Sequence, residues 1–197
     1  MTTASPVLVA TDLSEAARPA LMLGRSHAAA SNAPLVVCHV VSTVVRNHPL
    51  IPTPSENELM LEMNLISAAA SSVTQEVDAV LHIPPDAYRV VIASGNADEE
   101  IVRTAEAHDA SLIVVGAKPR VGAQRWLGHV AERVVRYAAT SVLVARRDTP
   151  PRKALVVTDY SKGSLPALRF AQRFARRPDV DITLLHVFKP PSSALPS

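Results

Sequence analysis

Three glycines separate an apolar segment from a helical pattern in the second half of the chain. The apolar segment, residues 111–116, reads SLIVVG and predicts a buried β-strand that ends at Gly116. Gly122 follows in the connecting loop, and Gly128 directly precedes the helical pattern. A loop that leaves a parallel strand and opens a helix can hold a phosphate with its backbone N–H groups and the positive end of the helix dipole. The spacing therefore predicts nucleotide-binding chemistry.

The elements that would position this loop alternate between strands and helices. Apolar runs predict strands at 6–11, 34–41, 88–93, 112–115 and 142–145. Periodic patterns predict helices at about 14–30, 56–79 and 98–108, and from 128 onwards. Strand–helix–strand connections of this kind are right-handed and make the strands parallel. The predicted fold is therefore α/β, with a doubly wound, five-stranded parallel sheet in a domain over residues 1–147.

The end of the chain repeats its beginning. Thr158-Asp-Tyr-Ser161 matches Thr11-Asp-Leu-Ser14 at an offset of 147 (158 − 11), and the same offset pairs His186 with His39. The repeat predicts a β-α-β unit over 153–188, preceded by a linker at 148–152 and followed by a disordered tail at 189–197. Its sequence has no counterpart of the glycine loop. A lone β-α-β unit is too small to bury its own apolar faces, so we expect this partial second repeat to dock on the first domain or on a partner chain, or to remain mobile.

The composition excludes several classes of protein. With 48% hydrophobic and 19% charged residues, the chain can bury a sizeable core. A net charge of +2 gives no strong reason to expect nucleic acid. We find neither a signal peptide nor an apolar run near the roughly 20 residues that span a bilayer. Cys38 is the single cysteine, so no disulfide or cysteine metal site is expected, and a cytoplasmic location follows.

From Val7 to Arg146 the sequence resembles the universal stress protein family. The glycine loop and the segment VAERVVRYAATSVLVAR at 130–146 are similar to that family's nucleotide loop, last helix and last strand. The resemblance implies a stress-response regulatory protein that binds ATP or another adenine nucleotide, with Mg²⁺ only if ATP binds. It also implies a homodimer formed through the last strand. Because tandem members carry two whole copies, the chain looks like a truncated tandem member.

The resemblance also assigns the site residues. In nucleotide-binding members, the acid after the first strand and its neighbours contact the nucleoside, a valine ending the second strand contacts the base, and the glycine loop holds the phosphates. The matching residues are Ala10, Thr11, Asp12, Val40, Val115, Gly116, Lys118, Pro119, Gly122, Gly128, His129 and Val130. Asp12 has a second interpretation, an Asx turn that leads into the next helix. His129 is either a positive partner for phosphate or a surface residue at a helix N-terminus.

The loop departs from the family pattern G-x-x-G, nine residues, G-[ST]. Pro119 replaces the second glycine, only eight residues separate it from Gly128, and His129 replaces the small hydroxyl residue. Proline removes a backbone donor and fixes φ, and an imidazole is much larger than a hydroxyl. Two alternatives therefore stay open, a protein-interaction scaffold of the same family that lacks nucleotide and a slow ATP-hydrolysing enzyme. Because no catalytic constellation is found, we expect a binding protein rather than an enzyme.

Overall fold

The computed structural model describes residues 4–42, 56–117, 127–149, 152–174 and 180–187. The chain divides into two compact units, residues 1–149 and 150–197. The linker predicted at 148–152 spans this division, and its role as a linker stays a prediction. The tail predicted at 189–197 lies outside the described residues. Within the described ranges, no helix has the length and apolar character needed to cross a membrane.

The first unit is built around one parallel sheet. Its strands are β1 (Val7–Ala10), β2 (Leu35–Val41), β3 (Tyr88–Ser94), β4 (Leu112–Gly116) and β5 (Ser141–Ala145). Its helices are α1 (Arg18–Ser31), α2 (Glu56–Leu81), α3 (Ala97–Ala107) and α4 (His129–Tyr137). The strand order is β3-β2-β1-β4-β5, and every neighbouring pair is parallel. The predicted α/β, doubly wound, five-stranded sheet is confirmed.

The central strand explains why both faces of the sheet carry helices. All four residues of β1 are buried, as expected for a parallel strand that is covered on both sides. Val7 and Val9 face one core cluster, which includes buried residues of α1 and α2. Leu8 and Ala10 face a second cluster, which includes buried residues of α3 and α4. The carboxyl end of β1 is therefore held rigidly between two packed layers.

Several boundaries differ by a few residues from the predicted ones, and three of them show the local causes. Residues 15–17 form a 3-10 turn, so α1 begins at Arg18 with proline in its first turn, where a missing N–H costs nothing. Helix α2 continues to Leu81, and the residue after it, His82, has a φ of 49°. Strand β3 extends to Ser94 because its pairing with β2 continues that far. None of these changes moves a strand in the sheet.

The second unit is a β-α-β arrangement, as the repeat predicts. It contains β6 (Lys153–Val157), a 3-10 turn at 162–164, α5 (Leu165–Phe174) and β7 (Asp181–Leu185). Strands β6 and β7 form a two-stranded parallel sheet. The helix predicted from residue 163 starts at Leu165 because the turn precedes it, and the strand predicted at 182–188 ends at Leu185. Residue 188 lies outside the described part of the chain.

Candidate functional site

A cavity of about 290 Å³ lies at the carboxyl ends of β1, β2 and β4. Nine predicted site residues line it: Ala10, Thr11, Asp12, Val40, Val115, Gly116, Gly128, His129 and Val130. The strand order reverses direction between β1 and β4, and ligands of open α/β sheets bind at such a switch point. The fold therefore brings two distant parts of the sequence, the end of β1 and the start of α4, to one place. Lys118, Pro119 and Gly122 lie outside the described residues.

Seven further residues line the cavity without having been predicted: Ser14, Ala16, Ala17, Cys38, Ala97, Ile101 and Ala131. Cys38 lies two residues before Val40, so strand alternation puts both side chains on one face and was a usable signal. Ala97 and Ile101 are four residues apart on α3 and share a helix face. Nothing in the sequence alone says that this face meets the cavity.

The turn after β1 is fixed by its own side chains. The Leu13 N–H donates to Thr11 Oγ1 at 3.1 Å, and the Ser14 N–H donates to Asp12 Oδ1 at 3.1 Å. The Ser14 hydroxyl also donates to Asp12 Oδ1. Leu13 adopts a φ of 60°, which the turn requires. Asp12 therefore makes the Asx turn that was one of its two interpretations. Because a carboxylate accepts several hydrogen bonds, the turn is compatible with a ligand contact.

His39 holds the same turn from the neighbouring strand. Its Nδ1 lies 2.8 Å from the carbonyl oxygen of Thr11. Because a carbonyl oxygen can only accept, Nδ1 carries the proton in this contact. His186 makes the same bond to Thr158, also at 2.8 Å. The two histidines are thus explained as structural parts of their turns.

The second unit reproduces the whole turn. The Tyr160 N–H donates to Thr158 Oγ1 at 3.1 Å, and the Ser161 N–H donates to Asp159 Oδ1 at 2.9 Å. Tyr160 has a φ of 62°, close to that of its counterpart Leu13. The described residues of the second unit thus form the Thr-Asp-x-Ser turn with the same backbone-to-side-chain bonds as in the first unit.

Gly116 lets two backbones approach each other at the floor of the cavity. A Cβ atom there would lie 2.5 Å from the carbonyl oxygen of Ala16 and 2.9 Å from Cα of Ala17. Both contacts are with backbone atoms of the 3-10 turn, which cannot swing aside as a side chain does. Glycine is required here by the close approach of the chain after β1.

The first turn of α4 forms one wall of the cavity. Gly128 is its N-cap residue, and His129 is its first helical residue. The opening N–H groups of a helix lack partners within it and carry partial positive charge, so they favour an anion. Helix α3 also points its N-terminus to this region, but its first turn already contains three carboxylates, Asp98, Glu99 and Glu100. An anionic group in the cavity is therefore better placed against α4.

Cys38 lines the cavity with an apolar side chain whose thiol can lose a proton. The residue is fully buried on β2, and burial raises the pKa of its thiol to about 11. A hydrogen bond with Thr104 opposes this shift, while the charge of Glu100 adds to it. At neutral pH the thiol is therefore protonated and behaves as a small apolar group.

This shift predicts a loss of stability in alkaline solution. The unfolded thiol has a pKa near 9.0, so the unfolded state loses its proton first as the pH rises. The contribution of Cys38 is fully present below about pH 9 and is lost up to about pH 11. We expect the free energy of unfolding to fall by on the order of 2 to 3 kcal/mol over this range. Urea titrations at several pH values measure it.

The variant Cys38→Ala separates this effect from other alkaline titrations. Its stability should be lower at neutral pH because a buried sulfur is removed, but the part of the alkaline slope that belongs to the thiol should vanish. Equal slopes for the two proteins between pH 9 and pH 11 would contradict the prediction.

Comparison with known proteins identifies the family. The model of the universal stress protein family matches residues 4–146 and 151–197. A universal stress protein of Methanothermobacter thermautotrophicus is 28% identical over 115 residues, which are 56% of this chain and 75% of that protein. The solved UspA of Lactobacillus plantarum gives a TM-score of 0.56 at 23% identity, over 74% of this chain and 100% of that chain. A solved universal stress protein of Archaeoglobus fulgidus gives 0.64 at 18% identity, over 94% and 68%. Together with the sheet order and the repeat, the family match shows that this chain belongs to the universal stress protein family.

Proposed function

We propose that the first unit binds an adenine nucleotide and acts as a regulatory protein in the stress response. The observation that carries this proposal is the cavity at the switch point, where the turn after β1 and the first turn of α4 meet. The twelve site residues named from the family resemblance remain proposed contacts, and nine of them lie in this cavity.

The two ends of the cavity suit the two ends of a nucleotide. Apolar groups of Val40, Val115 and Ile101 offer walls for a base, and Asp12 offers an acceptor for hydroxyl or amino groups. The first turn of α4 offers backbone donors and a positive dipole end for phosphate. Such a division of labour favours a ligand that is flat and apolar at one end and anionic at the other.

The cavity has little to offer a metal ion. Among the described residues that line it, Asp12 is the single carboxylate, and its Oδ1 is engaged by Ser14. Within the same described ranges, no group of three histidine, cysteine or acidic side chains could hold a metal. If ATP is the ligand, Mg²⁺ would be bound mainly by its phosphates and by water. We propose a binding protein rather than an enzyme, because Asp12 is the single carboxylate among the described lining residues and its Oδ1 is engaged in its own turn.

We further propose a homodimer formed through β5. This strand pairs only with β4 within the described sheet, so its other edge offers free N–H and C=O groups. Its central residues, Val142, Leu143 and Val144, are only half-buried. An apolar edge strand of this kind pairs readily with another chain, and a two-fold axis would satisfy both copies at once. We place this dimer in the cytoplasm.

A scaffold without nucleotide is the alternative within the same family. His129 lines the cavity where a small hydroxyl residue belongs in nucleotide-binding members, and an imidazole is much larger than a hydroxyl. The same Thr-Asp-x-Ser turn recurs in the second unit, so the turn can also be explained by local folding. The two functions differ in whether purified protein binds nucleotide at all.

Titration calorimetry with ATP and magnesium, and with AMP, tests the proposal. We expect saturable binding that Asp12→Ala weakens about ten-fold or more, because a hydrogen bond to a charged group is lost. Asp159→Ala is the matched control, since it removes the equivalent Asx turn in the second unit. It should leave affinity unchanged. A folded wild-type protein that gives no heat at millimolar nucleotide would favour the scaffold.

A further inference from the structure

An ion pair joins the two helices whose first turns line the cavity. Nε of Arg133 on α4 lies 2.6 Å from Oδ2 of Asp98 on α3, and Nη2 lies 3.8 Å from Oε1 of Glu99. Nε and Oδ2 are both shielded from solvent, and their geometry is that of a contact ion pair rather than a hydrogen bond. The Asp98 side chain is 11% exposed and the Arg133 side chain is 40% exposed, so water screens part of the attraction between the charges.

The pair lies beside the residues that form two walls of the cavity. Asp98 directly follows Ala97, which lines the α3 wall, and Arg133 is two residues after Ala131, which lines the α4 wall. The Arg133 guanidinium also lies over the Tyr137 ring, 5.8 Å from its centroid, which restrains its orientation. The pair is thus placed to fix the separation of the two walls.

We propose that Asp98 and Arg133 are positioning residues that hold the phosphate end of the site in register with the nucleoside end. This inference rests on the proposed nucleotide function. Neither residue lines the cavity, so each acts through the helix that carries it. The N–H groups of the first turn of α4 add their full binding energy only when this turn reaches the phosphate. The phosphate's position is set by where the nucleoside is bound. Hydrogen bonds weaken steeply when their distance and angle depart from the ideal, so a displaced first turn would bind the phosphate less tightly.

The energy that the phosphate adds to binding is the quantity to measure. It is given by the ratio of the dissociation constants of adenosine and AMP, determined by calorimetry on the full chain. In Asp98→Asn and in Arg133→Gln, we expect this ratio to fall about ten-fold, while the adenosine constant changes less than about two-fold. The double variant should lose no more than either single variant, because both substitutions break one contact. A role in folding alone would weaken both ligands equally.

Arg136→Gln is the matched control. Arg136 lies on the same helix and pairs with Glu132 at 3.5 Å, but this pair lies within α4 and connects it to nothing else. In Arg136→Gln, the ratio of the adenosine and AMP dissociation constants should equal that of the wild type. Thermal unfolding of every variant shows which ones are folded, and the double variant stays informative where a single variant leaves an unpaired buried charge.

The possible results distinguish a failure of this inference from a failure of the proposed nucleotide binding. Wild-type protein that binds AMP, together with variants whose ratio is unchanged, would overturn the inference and leave nucleotide binding intact. Equal weakening of adenosine and AMP, or additive losses in the double variant, would overturn it too. Wild-type protein that binds neither ligand would overturn the proposed function and the inference with it.

Discussion

Replacing Gly116 with alanine is expected to abolish nucleotide binding and to lower the free energy of unfolding of the first unit by about 2 to 3 kcal/mol. The new Cβ would lie 2.5 Å from the carbonyl oxygen of Ala16 and 3.1 Å from its carbonyl carbon. Backbone atoms must move to relieve this overlap, and the turn that moves lines the cavity. Stability and affinity should therefore fall together. Calorimetric titration and urea denaturation measure the two effects.

Gly163→Ala provides the control for the generic cost of replacing a glycine. Its Cβ would meet only the Ser161 hydroxyl, at an ordinary 3.4 Å, and the residue lies in a 3-10 turn of the second unit. We expect stability to change by no more than about 1 kcal/mol, in the stabilising direction, because alanine restricts the unfolded chain. A Gly116→Ala protein with wild-type affinity and stability would show that the turn yields at no cost.

The second large effect is the loss of stability expected when leucine is replaced by alanine at a buried position of the first repeat. The equivalent position of the second repeat serves as the comparison. Leu8 and Leu155 are related by the repeat offset, but Leu8 is 0% exposed and Leu155 is 62% exposed. Leu8→Ala should cost about 3 kcal/mol of unfolding free energy in the first unit, because a cavity is left in its core. Leu155→Ala should cost less than about 0.5 kcal/mol in the second unit, since little apolar area is lost.

Hydrogen exchange measured by mass spectrometry assigns each loss to its unit, because peptides from residues before and after 150 report separately. Protection of β1 should fall in the Leu8→Ala protein and remain unchanged in the Leu155→Ala protein. A loss in the second unit as large as that in the first would mean that the outer face of β6 is covered in solution. The comparison thereby also measures whether Leu155 is exposed in solution.

The five parallel strands and their doubly wound arrangement could be predicted from features that a sequence carries locally. Apolar runs such as LVVC at 35–38 and LIVV at 112–115 have few interpretations other than buried parallel strands, and the helices between them force right-handed crossovers. The predicted start of the first helix at about residue 14 was wrong, because a 3-10 turn at 15–17 precedes α1.

Site residues could be predicted where they end a strand or begin a helix that the sequence reveals. They could not be predicted where tertiary packing alone brings them to the cavity. Asp12 and Gly128 follow from the ends of recognisable elements. Ile101 enters the cavity because of where the crossover after β3 lands, and that depends on the packed core. The pairing of Asp98 with Arg133 joins residues on different helices whose sequence separation carries no periodic signal. Such contacts belong to the tertiary fold alone.

The duplicated turn bears on how sequences of relatives should be interpreted. Thr158 and His186 make the same bond as Thr11 and His39, so the bonds of the turn are explained by local folding in both units. In a relative of unknown activity, the motif alone therefore says little about ligand chemistry. A glycine at the position of Gly116 is explained by folding in the same way, because there a side chain would collide with the backbone at the floor of the cavity. Neither feature by itself therefore distinguishes relatives that bind a nucleotide from relatives that do not.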